Sequence, residues 1–217
     1  MGRLAWRFST YGSLVGIGVR ELMAYRAGYL LRILNVVLQI FLLSMVWRAV
    51  YAGRGSVDGV DLPTMVAYVT LISVQNWWFG TSTFSALPPR VRMGQVAYDI
   101  VRPLGLVGQV FPKQIGAALG MLPFVVIVLP LAGMIGDLRP PASWIHGIAY
   151  AASLLLAFLI GTLAGTIIGL IAFWTIETRS ISFMYSTIAQ FFTGALVPLW
   201  FMPEWLRAIA EVLPFQA

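Results

Sequence analysis

The sequence has no cysteine and a single histidine, His146. Without thiols there is no disulfide framework, thiolate metal site, iron–sulfur cluster or cysteine nucleophile, and one imidazole excludes every motif that needs two. Charge is scarce as well: 10% of the 217 residues are Asp, Glu, Lys or Arg, against about 25% in an ordinary globular domain. With 14 basic and 8 acidic residues, the chain cannot cover itself with polar surface on every side. What it has in abundance is apolar length: 59% hydrophobic residues, 13% aromatic residues and a mean hydropathy of +0.86. Its solvent is mostly lipid, and the expected fold is an all-α polytopic membrane protein.

Charge-free stretches cover 62–89, 114–136, 140–176 and 180–203, each long enough for the roughly 20 residues a bilayer crossing needs. The segment 30–50 joins them, because Arg32 and Arg48 lie near its ends and can snorkel to head groups. Five spans are therefore expected, at 30–50, 63–87, 114–136, 147–174 and 182–201. Within the first, Asn35 and Gln39 lie four residues apart on one face, and this face is expected to meet protein. Before it, 8–19 is apolar but too short to cross, and it runs into Arg20, Glu21, Tyr25 and Arg26. The reading for 1–29 is a cytoplasmic N-terminus and an amphipathic interface helix; charge interrupts the apolar run too early for a cleaved signal peptide.

With the N-terminus cytoplasmic, ten cations fall inside (Arg3, Arg7, Arg20, Arg26, Arg32, Arg90, Arg92, Arg102, Lys113, Arg179) and four outside (Arg48, Arg54, Arg139, Arg207). Five of the eight acids, Asp58, Asp61, Asp137, Glu204 and Glu211, lie outside. That asymmetry is the positive-inside pattern. Arginine-rich loops facing anionic head groups also account for the high pI, with no nucleic-acid partner required.

The largest inside loop, 88–113, holds Arg90, Arg92, Gly94, Val96, Asp99, Ile100, Arg102 and Pro103. A short helix is expected in its middle, with Val96, Ile100 and Val101 as an apolar stripe and Arg102-Pro103 as its end. It either docks on another protein or is a solvated loop of topogenic arginines. Gly161, Gly165 and Gly169, like Gly116 and Gly120, recur every four residues and permit close helix approach. Pro123 and Pro130 are expected to kink the third span. Amides beside aromatics occur in span two (Gln75, Asn76, Trp77, Trp78) and span five (Tyr185, Gln190, Phe191, Phe192), either lining a path for an amphiphile or making interhelical bonds. After span five, Pro198 and Pro203 lead into 202–215, where Trp205, Ile209, Val212 and Leu213 form one face of a short outer helix ending at Pro214.

Gly194-Ala195-Leu196-Val197-Pro198, Pro203-Glu204-Trp205-Leu206 and Leu213-Pro214-Phe215 resemble the segment after the fifth helix in ABC-2 type permeases, the membrane subunits of type-2 ABC exporters. Arg102-Pro103-Leu104 and Tyr25-Arg26-Ala27 are similar to the same family, closest to its export-permease branch. The resemblance covers essentially the whole chain. It implies a sixth span beyond Ala217, a coupling helix at 94–103 seated on an ATPase subunit, and an interface helix carrying Arg20, Glu21 and Arg26. It also implies a translocation path along the aromatics of spans two and five, and a second permease half, the same or a different chain. ATP and Mg would sit on the partner. The one lysine, Lys113, follows Pro112, so the Gly-Lys pair of a phosphate-binding loop is absent.

The expected role is the permease of an ATP-driven exporter, multi-pass in a plasma (inner) membrane of bacterial type, with lipid as its other partner. The alternatives are a channel or structural membrane subunit without ATP, and an intramembrane enzyme. The enzyme would need carboxylates or a histidine at matched depth. No charged residue lies deep in any span, and His146 sits at an outer end.

Overall fold

The computed structural model describes residues 3–24, 26–57, 59–79, 87–102, 104–138, 140–175, 178–195 and 198–213, except for the side chains of 3–9, 22–24, 26, 27 and 29. Its described helices are α1 (Arg3–Ala24), α2 (Arg26–Val50), α3 (Leu62–Phe79), α4 (Leu87–Arg92), α5 (Val96–Ile100), α6 (Leu106–Gly136), α7 (Trp144–Ile171), α8 (Arg179–Phe192) and α9 (Glu204–Val212). A two-residue hairpin, Ser56–Val57 with Val60–Asp61, closes the α2–α3 connection at Gly59, whose φ is 78°. Among the described residues, three helices are long and apolar enough to cross a membrane: α2 from Leu30, α6 and α7. Between 17% and 33% of their most apolar windows is buried, so most of this surface faces outward, as in a lipid-solvated protein.

The chain forms two compact units. The first contains Met1–Arg26, Phe79–Leu122 and Phe158–Tyr185; the second contains Ala27–Trp78, Pro123–Ala157 and Ser186–Ala217. In the first, α1 lies directly on α6. A Cβ on Gly18 would come within 2.5 Å of the Lys113 carbonyl oxygen, and one on Gly116 would run into the Val15 carbonyl. Glycine here is what lets two backbones touch. The second half of α7 buries Thr162, Gly165, Thr166, Ile168 and Gly169, so its glycine ladder packs inside the subunit.

In the second unit, Val36 and Ile40 of α2 meet Val74 of α3 and Val128 and Ala132 of α6. A second cluster gathers Tyr51, Met65 and Val69 with Trp47, Tyr68, Trp200 and Phe201. Trp47 stacks on Phe201 at 5.7 Å, and Tyr68 meets Trp200 edge-on at 4.6 Å. Arg48 and Asp137 pair at 3.9 Å, which brings the C-terminal ends of α2 and α6 together.

Several boundaries differ from the sequence reading. α6 starts at Leu106 and runs without a break through Pro112, Pro123 and Pro130. α7 starts at Trp144 because Ser143 caps it: the Ser143 Oγ accepts from the His146 N–H at 3.4 Å and lies 2.7 Å from the ring Nδ1. The expected span 182–201 is not one helix. α8 ends at Phe192 in a Schellman turn, with the Ala195 N–H on the Gln190 carbonyl (3.1 Å) and the Gly194 N–H on the Phe191 carbonyl (3.2 Å). Gly194 takes a φ of 78°, Pro198 follows, and a short 3-10 turn spans Leu199–Phe201.

Two substitutions test this packing. Gly116→Leu should destabilise the protein by about 1–3 kcal/mol or more, because the added side chain has no space against α1. Gly12→Ala, with nothing within 4 Å of the new Cβ, should leave thermal unfolding in detergent unchanged or slightly raised.

Candidate functional site: a loop clamped to a long helix

The first unit builds the best-defined polar site in the described chain. Pro88 and Pro89 fit the first turn of α4, where a missing N–H costs no hydrogen bond. α4 then closes with the Met93 N–H on the Pro89 carbonyl and the Gly94 N–H on the Val91 carbonyl, each at 3.0 Å. Gly94 adopts a φ of 68°, which turns the chain into α5. The loop 88–102 is thus two short helices about a glycine.

Asp99 lies at the centre and is only 4% exposed. Its carboxylate accepts a fork of two hydrogen bonds from Arg90, Nε to Oδ2 and Nη2 to Oδ1, both at 2.7 Å. Arg102 Nη1 stands 3.6 Å from Oδ1. Gln109, in the first turn of α6 and equally buried, donates its Nε2 to the Asp99 and Leu104 carbonyls, both at 2.8 Å. Arg102 also donates to Gln109 Oε1 at 3.4 Å. One amide therefore ties the loop backbone to the helix, while one carboxylate ties α5 to α4. Two guanidiniums around one carboxylate leave this end of the unit positive.

The outward side of the loop is different in character. Met93, Tyr98, Ile100 and Val101 are 61%, 75%, 63% and 85% exposed. Val96, expected on the same stripe, is half-buried. Arg92 is exposed and lines a groove of about 370 Å³ with Pro88, Pro89, Met93, Thr178, Arg179 and Ser182. The α7–α8 connection is thereby brought beside the loop. Pro103 lies outside the described residues.

The other expected residues fall elsewhere. Arg20 and Glu21 are exposed on α1; the side chain of Arg26 lies outside the description. Gln75 donates to the Tyr150 hydroxyl at 2.9 Å, an α3–α7 bond. Asn76 is exposed, Trp77 packs on the core around Val36 and Ile40, and Trp78 is half-buried. On α8, Tyr185 is half-buried, Gln190 is exposed, and Phe191 and Phe192 meet edge to face at 5.4 Å. Pro198 is fully buried at the start of the 3-10 turn; Pro203 precedes α9, whose Trp205 is 66% exposed. Arg207 and Glu211 pair on the same helix at 3.0 Å. Pro214 is outside the described residues.

A family model described as ABC-2 family transporter protein matches residues 33–217. The chain belongs to this family. Neither curated proteins nor solved structures gave a match. As an ABC-2 transporter protein it is a multi-pass membrane component of a transport system, and its apolar helices agree with that. Among its described residues, no three His, Asp or Glu side chains gather closely enough to hold a metal ion.

Sequence reasoning missed Gln109 and Tyr150. Gln109 carried one signal, an amide in an apolar helix start directly after the loop, and Tyr150 carried none. For this ABC-2 protein, Gln109→Ala should leave two loop carbonyls without their donor, a local cost of about 1–3 kcal/mol. Hydrogen exchange of the 96–102 amides should rise clearly while α7 stays protected. Unchanged exchange would show that the amide does not hold the loop.

Proposed function

We propose that the chain is the membrane-spanning permease subunit of an ATP-driven exporter, coupled through 94–103 to a separate ATPase subunit. The observation that carries this reading is the loop itself. Four large apolar side chains stand exposed on a segment whose two short helices are joined by a buried carboxylate and whose backbone is fastened to α6 by a buried amide. An apolar surface presented on a rigid base suits a protein partner better than a solvated loop. Family membership supports the choice of an ABC ATPase as that partner.

In this reading the N-terminus is cytoplasmic in a bacterial inner membrane, and five spans lie in this chain, with α2, α3, α6, α7 and the α8 segment as their cores. α1 serves as the interface helix and α9 as a short outer helix. Nucleotide and Mg bind the ATPase subunits, whose closure shifts the loop. The Asp99–Arg90 fork keeps α4 and α5 moving as one body, and Gln109 passes that movement to α6. Two permease halves then expose a path flanked by the amides and aromatics of α3 and α8. Arg92 and Arg179, on one groove, add a positive rim to the docking surface.

Purification of the tagged chain in mild detergent should bring down an ABC ATPase identified by mass spectrometry, with ATP hydrolysis in the complex. Ile100→Glu with Val101→Glu should abolish that association while leaving the chain monodisperse, because both side chains point away from its own packing. A chain that always purifies alone, in a preparation without ATP hydrolysis, would instead make it a channel or structural membrane subunit.

A further inference from the structure

The groove of about 370 Å³ between α4 and the start of α8 contains more polar hydrogen-bonding capacity than the chain itself uses. Thr178, immediately before α8, is 2% exposed and still lines this groove, and among the described residues its hydroxyl meets no hydrogen-bond partner. A threonine in that place ordinarily caps its helix by accepting from a first-turn N–H. Here it does not, and the N–H groups of Ser180 and Ile181 find no acceptor among the described residues either. Leaving a buried hydroxyl and a helix's first N–H groups unanswered is costly, and an anion answers both. Ser182 adds a second hydroxyl to the lining, and Arg92 and Arg179 add two guanidiniums. Both arginines also interact within the chain, but five N–H donors apiece leave some over. Counting Glu177, the neighbour of Thr178 in sequence, the charge here is still positive by one.

We infer that this groove seats the phosphate of an anionic phospholipid headgroup, held by Thr178, Ser182, Arg92, Arg179 and the N-terminal end of α8. The surroundings favour a lipid over a free ion. The other wall of the groove is apolar, made by Pro88, Pro89 and the exposed Met93. α7 ends close by in sequence, and the chain emerges from it with Trp174 82% exposed, the placing of an aromatic ring at head-group depth. Leu163 and Ile167 face outward on the last two turns of α7 before that end, a surface along which acyl chains can lie. Phe183 and Met184, just after Ser182, are exposed as well. A site with phosphate-binding donors on one side and open apolar surface on the other matches a molecule built the same way. The same two arginines rim the docking surface in the exporter reading; the lipid site gives their groove an occupant of its own and does not depend on an ATPase.

The test is thermal unfolding of the full chain, delipidated in mild detergent, during titration with phosphatidylglycerol, phosphatidylcholine or inorganic phosphate. Phosphatidylglycerol should raise the midpoint saturably by several degrees, and the other two should not. Arg92→Gln with Arg179→Gln should weaken the apparent affinity about tenfold or more, the loss of a charge-assisted contact. Thr178→Val keeps the buried shape, removes the hydroxyl and should weaken it several-fold; Ser182→Ala serves the same purpose if that variant does not fold. Arg54→Gln, at an exposed arginine of the α2–α3 connection, should bind as the wild type does. Equal responses to the two lipids, or groove variants that bind as Arg54→Gln does, would overturn the inference. A shift produced in full by inorganic phosphate would overturn the lipid assignment in favour of a free anion. If the double arginine variant loses a co-purifying ATPase while its lipid response is unchanged, the groove serves the protein partner and the lipid site falls, with the exporter reading intact. A lipid response lost in the variants of a chain that never binds an ATPase would keep the site and remove the exporter reading.

Discussion

Hydrocarbon supplies no hydrogen bonds, so every polar atom carried into it has to be answered by protein. The long helices do this locally first. Ser44, Ser73 and Thr166 each turn their hydroxyl back onto the carbonyl four residues earlier, at 2.7 Å. Amides are too long for that and reach across helices, as Gln75 does to Tyr150. Among the described residues, Asn35 and Gln39 find no such answer. Lone exposed apolar side chains in a lipid-solvated helix need no explanation; exposed amides do.

The same accounting gives the loop after α3 its two-sided design. Asp99 is a carboxylate taken almost wholly out of solvent, and a buried charge is tolerable only when paired and hydrogen-bonded. Arg90 provides the pair, and Gln109 fixes the backbone beside it. These groups are consumed by the fold and cannot also face a partner. The outward surface is left to Met93, Tyr98, Ile100, Val101 and Arg92. Charge holds the loop together, and apolar surface is what it offers.

Much of this architecture was legible in the order of residues. The apolar lengths marked α2, α6 and α7, and Gly116 marked a close helix contact. Gly94, one of the expected loop residues, is the bend between two short helices. The residues of 88–113 that would face inward were not legible, because Arg90, Asp99 and Arg102 look alike as exposed topogenic charges until α4 and α5 fold on each other. The end of α8 was not legible for a related reason. An uncharged stretch of 24 residues, 180–203, satisfies a length criterion, yet Gly194 and Pro198 end the helix after 14 residues.

The sequence by itself determined the solvent, the helical class and the places where the backbone must bend, since these depend on composition, run length and the conformations open to glycine and proline. Only the tertiary structure decided which polar groups are used up internally and which remain available. Pairing depends on distances between residues far apart in the chain: Gln75 with Tyr150, Arg48 with Asp137, Tyr68 with Gly194. No periodicity records them. A residue's role in lipid follows from what it meets there, and that meeting is a property of the fold.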